Sequence, residues 1–138
     1  MKITVIYPSD GSYEKSRLQF EVEVGLFDPA IDTNDIDRVL GLAWRATNIV
    51  IEDDVERMKG YAKQCGVAGI RPSMVGDVFI VPLTVAGYCF YGIFVVDLVG
   101  FKQIEPQSLE NWLNLSANDR IMRERWELNT IDRLKFFK

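Results

Sequence analysis

In the stretch LQFEVEVGLF, residues 18 to 27, apolar Leu18, Phe20, Val22, Val24 and Leu26 alternate with Gln19, Glu21, Glu23 and Gly25. Successive side chains on a strand point to opposite faces, so this spacing predicts a half-buried strand with an acidic outer face. A strand with one wet face belongs in an antiparallel sheet. Lys2 to Tyr7 is a β-branched run closed by Pro8-Ser9-Asp10-Gly11, a turn signal in which Pro presets one dihedral and Gly permits a positive φ. The two strands are expected as a hairpin or near neighbours.

The period then changes. Asp28-Pro29 breaks the strand, and Asp32-Thr33-Asn34-Asp35 offers capping residues for a helix over Asn34 to about Ala46, with Ile36, Val39, Leu40, Ala43 and Trp44 at helical spacing. A second helix is predicted from about Glu52 to a stop at Gly66, its stripe being Ile51, Val55, Met58, Ala62 and Cys65. Glu52, Asp53, Asp54 and Glu56 crowd its first turn. They resemble a metal cluster, but acids are favoured there by unsatisfied backbone N–H groups, and no further ligand has the spacing of a site.

Three strands are expected in the second half, over Asp77 to Pro82, Tyr88 to Val96 and Gly100 to Ile104. Their apolar runs barely alternate, which predicts burial on both faces, at least for the middle one. Gly92 within it predicts a bulge or a close approach. After Glu105-Pro106, SLENWLNL and SANDRIMRERWEL read as helices. The fold class expected is α+β in a single domain over residues 1–138. A largely antiparallel sheet of about five strands, with two helices inserted after strand two, forms a body over 1–105; residues 106–138 form a helical C-terminal extension. A small SH3-like barrel over residues 73 to 104 is the alternative.

Composition narrows the chemistry. The chain has 138 residues, 48% of them hydrophobic, enough for one core, and no apolar run approaches the roughly 20 residues of a membrane span. The start reads as a first strand rather than a signal peptide. A soluble cytoplasmic protein with no membrane partner is expected. Cys65 and Cys89 make no disulfide framework and are expected as buried free thiols. There is no His, which removes imidazole acid–base catalysis, the nucleophile pairs built on it and the commonest zinc sets. Nor is there a Gly-rich nucleotide loop. Neither catalytic residues, nor a metal, nor a cofactor are expected, and the chain reads as no enzyme. Asp77 and Asp97 flank neighbouring strands, and each reads first as a turn cap.

In SMVGDVFIV, residues 73 to 81, a Gly-Asp corner launches an apolar strand. AWRATN (43 to 48), RPSMVGDVF (71 to 79) and Gly100-Phe101 together resemble a group of small uncharacterised bacterial and phage mobile-element proteins. That group shares an Ala-Trp helix ending in Thr-Asn and an Arg-x-Ser-x-Val-Gly-Asp-Val corner. The resemblance covers residues 40 to 104 and departs around Leu83 to Gly87 and after Glu105. It implies a mobile-element or phage context and a sheet with helices packed on it, and supplies no reaction.

Asn48, Arg71, Ser73 and Asp77 are the candidate binding residues. They form either a polar recognition patch or a lock in which Asn48 caps its helix, Arg71 bonds carbonyls at the helix end and Ser73 caps a turn. Two functions follow. One is a small interaction protein acting on a host protein, with Trp112 and Trp126 as surplus aromatics of the kind that anchor interfaces. The other is a nucleic-acid-binding accessory protein using Arg120, Arg123, Arg125, Trp126, Arg133 and Lys135. Residues 119 to 138 hold six basic against four acidic residues, while the net charge is −4, so the other 118 residues sum to −6. A homodimer through an edge strand such as Leu18 to Phe27 is a further possibility.

Overall fold

The computed structural model describes residues 1–8 and 17–115. Five strands, β1 (Lys2–Tyr7), β2 (Leu18–Glu23), β3 (Val78–Val85), β4 (Tyr88–Val96) and β5 (Phe101–Ile104), form one sheet of order β2-β1-β3-β4-β5. Every neighbouring pair is antiparallel. β1 and β2 pair along their whole length, from Lys2 opposite Glu23 to Tyr7 opposite Leu18. The chain then passes through α1 (Ile36–Ala46) and α2 (Asp53–Cys65) before β3 returns to the free side of β1. After β5 comes the short helix α3 (Leu109–Asn114). The α+β class is thus observed, and the sheet is open, with no pairing of β2 to β5 to close a barrel.

The alternation in β2 does what its period requires. Leu18, Phe20 and Val22 are buried and Gln19 and Glu21 exposed. It stops at Glu23, because the chain tightens into a 3-10 turn over Val24–Leu26; Val24 stays in the core and Leu26, expected inside, is 75% exposed. Helix α1 begins two residues later than expected, capped by Asp35, whose carboxylate accepts from the Arg38 N–H. Helix α2 ends on Gly66 in the left-handed conformation, φ +68°. Its expected stripe is partly wrong: Ile51 and Val55 are exposed, and Met58, Tyr61 and Ala62 face the core.

One face of the sheet packs on α1 and α2. Ile3, Val5, Tyr7, Phe20, Val22, Phe79, Val81 and Phe94 meet Val39, Leu40, Ala43, Ala46, Met58 and Tyr61. On the other face Ile6, Val78, Ile93 and Val95 meet Trp112 and Leu113 of α3. Central strands covered on both sides explain the unbroken apolar runs. β4 corrects that expectation for half its length: Gly92 to Val96 are buried, whereas Tyr88 to Tyr91 are exposed. The β3–β4 hairpin is longer than its neighbours, since β1 pairs with β3 only from Val78 to Ile80 and β5 with β4 only from Ile93 to Val96. Thus β3 runs on to Val85 instead of ending at Pro82. Gly92 sits in regular register opposite Val81, without a bulge; Leu83 and Phe94 close over it, leaving a Cβ only 2.7 Å from Leu83 Cδ1. No described helix is long and apolar enough to cross a membrane.

Candidate functional site

The Gly-Asp corner is built from the strand outward. Gly76, at φ +96°, turns the chain into β3, its N–H donating to Val96 O at 2.9 Å and its carbonyl accepting from Trp112 Nε1 at 3.0 Å. Asp77 follows, 1% exposed. Arg71 grips it with two prongs, Nη1 to Oδ2 at 2.7 Å and Nη2 to Oδ1 at 2.8 Å, and the Met74 N–H donates to Oδ2 at 2.7 Å. The guanidinium lies over the Tyr7 ring, 4.1 Å from its centroid. Burial would make this carboxylate costly, and the paired cation and the amide offset that cost.

Beneath it runs a chain of hydroxyls. Tyr7 Oη lies 3.0 Å from Ser73 Oγ, Ser73 Oγ donates to Thr47 Oγ1 at 2.6 Å, and Thr47 Oγ1 donates to the carbonyls of Ala43 and Trp44 at 3.1 Å each. The Ser73 N–H also donates to Thr47 O at 3.1 Å. Burial pushes the Tyr7 phenol well above its ordinary range, with the Ser73 bond only partly offsetting it. The end of α1 and the Gly-Asp corner therefore meet at one end of the sheet. Asn48 caps α1, its Nδ2 donating to Trp44 O at 2.6 Å. Arg71, expected on helix-end carbonyls, instead holds Asp77 and the Pro72 carbonyl, and Ser73 bridges Tyr7 and Thr47 instead of capping a turn. Ser73 and Asp77 are buried, so this corner offers a ligand little beyond the flank of Arg71.

The helix-end carbonyls belong to Arg57, a residue the sequence reading passed over. Its Nε donates to Ala46 O at 3.0 Å and its Nη2 to Asp54 Oδ1 at 2.7 Å. Asp54, 1% exposed, also accepts from Arg45 Nη1 at 3.0 Å and from the N–H groups of Val50 and Ile51 at 2.7 and 2.8 Å, all on Oδ2. Desolvation alone would raise its pKa; the two backbone donors and two arginines outweigh it and hold the carboxyl well below the usual range. Both guanidiniums lie over the Phe27 ring. Asp54 sits among the acids that resembled a metal cluster, and it is spent on cations. Among the described residues no group of three His, Cys, Asp or Glu side chains is placed to hold a metal.

This anchoring shapes the α1–α2 loop. With Val50 and Ile51 tied by their N–H groups to a buried carboxylate, the side chains of Ile49, Val50 and Ile51 turn outward, 50%, 69% and 55% exposed. Three aliphatic side chains in a row, held on a pinned backbone, form a ready contact surface.

The remaining candidates separate. Asp97 caps its turn, accepting from the Val99 N–H at 2.9 Å. The thiols are not the buried pair expected: Cys65 is half-buried and donates to Gln19 O at 3.3 Å, and Cys89 is exposed because it lies on the outreaching hairpin. Trp112, counted as a surplus aromatic, is a core residue of α3. Arg120, Arg123, Arg125, Trp126, Arg133 and Lys135, with the helix expected over SANDRIMRERWEL, lie outside the described residues. Compared with known proteins, the chain matches no family model, no curated protein and no solved structure.

Proposed function

We propose that the protein is a non-enzymatic interaction protein of a mobile element or phage, acting in the cytoplasm on a host protein. Its contact surface is the loop Ile49-Val50-Ile51, and the partner presents an apolar groove. The observation that carries this reading is the pairing of outward aliphatics with an inward Asp54 anchor. The ordering cost of the loop is met within the folded chain, so less of it falls due on binding. In support, the buried polar side chains at Asp54, Ser73 and Asp77 are engaged in bonds that hold the fold together.

The test uses the purified chain as bait in host lysate beside Val50→Asp, which puts a charge on the loop and leaves the Val50 N–H in place. A protein retained by the wild type and lost by an equally stable variant supports the reading. Identical capture by both, or none by either, counts against it. The second reading, nucleic-acid binding through Arg120, Arg123, Arg125, Trp126, Arg133 and Lys135, rests on basic and aromatic residues interleaved in the sequence. A low-salt gel shift with single- and double-stranded DNA tests it, and no retardation at micromolar protein removes it.

A further inference from the structure

The outreaching hairpin has an open edge. In an antiparallel ladder, residues alternate between exchanging both backbone bonds with the neighbour and pointing both groups the other way. Val85 lies opposite Tyr88 across the two-residue turn Ala86-Gly87, which makes them a bonded pair. At the far end of the same register the Val96 N–H donates to Asp77 O, in the same phase. Tyr88, Phe90 and Gly92 therefore bond β3, and Cys89 and Tyr91 direct N–H and C=O away from it. β5 stops opposite Ile93, so it does not reach them.

This edge lacks the usual protection. No residue from Val78 to Val96 is charged. Val85, Tyr88, Phe90 and Tyr91 are 59%, 78%, 45% and 67% exposed. The opposite edge of the sheet is treated differently: β2 carries Glu21, and Gln64 and Cys65 occupy its outward backbone groups.

We propose that a second copy of this chain pairs along this edge, β4 against β4, antiparallel about a twofold axis at Phe90. Two open residues separated by one make the edge complementary to itself. Cys89 exchanges both backbone bonds with the second copy's Tyr91, and Tyr91 with the second copy's Cys89. Charge favours a copy as occupant here: two chains of net charge −4 repel, and this is surface on which no like charges face across the axis. A notch of about 420 Å³ beside the end of β5, lined by Phe90, Tyr91, Ile93, Ile104 and Pro106 among others, receives the second copy's turn. The exposed parts of four side chains, at roughly 150–250 Å² per whole aromatic, give on the order of 1,000 Å² for both copies. That is at or below the lower bound for a stable interface, so the dimer is weak and concentration-dependent.

Sedimentation velocity on the full chain from about 5 to 500 μM spans the range of such an affinity. The wild type is expected to shift from monomer to dimer, and Tyr91→Lys to stay monomeric with an unchanged Tm. A wild type that is monomeric throughout, or a Tyr91→Lys chain that dimerises equally, overturns the proposal. The register has its own test. Phe90 faces itself in a non-bonded pair, with Cα atoms about 4.5 Å apart, within disulfide reach. Phe90→Cys in a Cys89→Ser background should therefore crosslink under copper–phenanthroline oxidation. The wild type should not, because Cys89 is diagonal to the second copy's Cys89 at about 7–8 Å. Crosslinking through Cys89 without crosslinking at position 90 overturns the twofold at Phe90 and the proposal with it.

Discussion

Arg71 and Asp77 form a two-pronged ion pair, 2.7 and 2.8 Å, with the guanidinium stacked on Tyr7. An exposed pair contributes about 0–1 kcal/mol, but removing one partner of a buried pair strands the other, at about 3–5 kcal/mol. With Asp77 1% and Arg71 18% exposed, this pair belongs near the second case. Arg71→Ala is expected to lower unfolding free energy by about 3–5 kcal/mol in urea titration. Arg71→Lys is expected to restore little, because an ammonium cannot reproduce the fork. A loss below about 1 kcal/mol would show that the pair is effectively solvated.

Ser73→Ala tests the hydroxyl chain. Without Ser73 Oγ the buried Tyr7 phenol loses its partner, and Thr47 keeps its bonds to Ala43 and Trp44 but loses the donor at 2.6 Å. An unsatisfied buried polar group costs about 1–3 kcal/mol, and that is the expected fall in stability by thermal or urea unfolding. If the variant keeps its stability and loses a binding partner, Ser73 is a recognition residue.

Much of this fold was legible because it is local. The period-2 run marks β2, Asp35 caps α1, Gly66 stops α2, and Asn48 closes α1, each decided by residues within a few positions. What was not legible depends on topology. Nothing near Arg71 points to Tyr7, 64 positions away, until β3 pairs with β1 and brings the corner over it. The same holds for β4, whose exposed half follows from the shortness of β1–β3 and β4–β5 pairing rather than from its own sequence. Arg57 did leave a local trace, an acid three residues earlier at Asp54, which is ion-pair spacing on a helix. That signal was hidden because Asp54 lies in a run of acids that reads as a solvated helix start.

The Asp54 site predicts a pH dependence. Its folded pKa is lowered, so its contribution to stability is complete above the ordinary aspartate value of about 4 and declines as pH falls from there toward the folded value. Asp54→Asn removes the titrating charge. The variant is expected to melt below the wild type at pH 7, with the gap narrowing as pH drops below about 4, in thermal scans across pH. A gap constant from pH 7 to 2.5 would mean that Asp54 does not carry this linkage.

The hairpin turn provides a gain rather than a loss. Ala86 sits at φ +51° and Gly87 at φ +83°, two consecutive left-handed residues closing a two-residue loop. This is the turn whose backbone twist matches the flanking strands, and Asn-Gly is its favoured sequence. A Cβ in the left-handed region costs roughly 1–2 kcal/mol, and Asn lowers that cost by bonding locally. Ala86→Asn is therefore expected to stabilise the protein by about 0.5–1 kcal/mol, raising the urea midpoint at unchanged slope. Ala86→Gly should gain less, because glycine adds freedom to the unfolded chain, and Ala86→Pro should destabilise, since its ring fixes φ near −65°. Measuring at a few micromolar keeps any pairing of hairpins out of the comparison. Should Asn and Pro at position 86 shift the midpoint in the same direction, the turn does not have this geometry in solution.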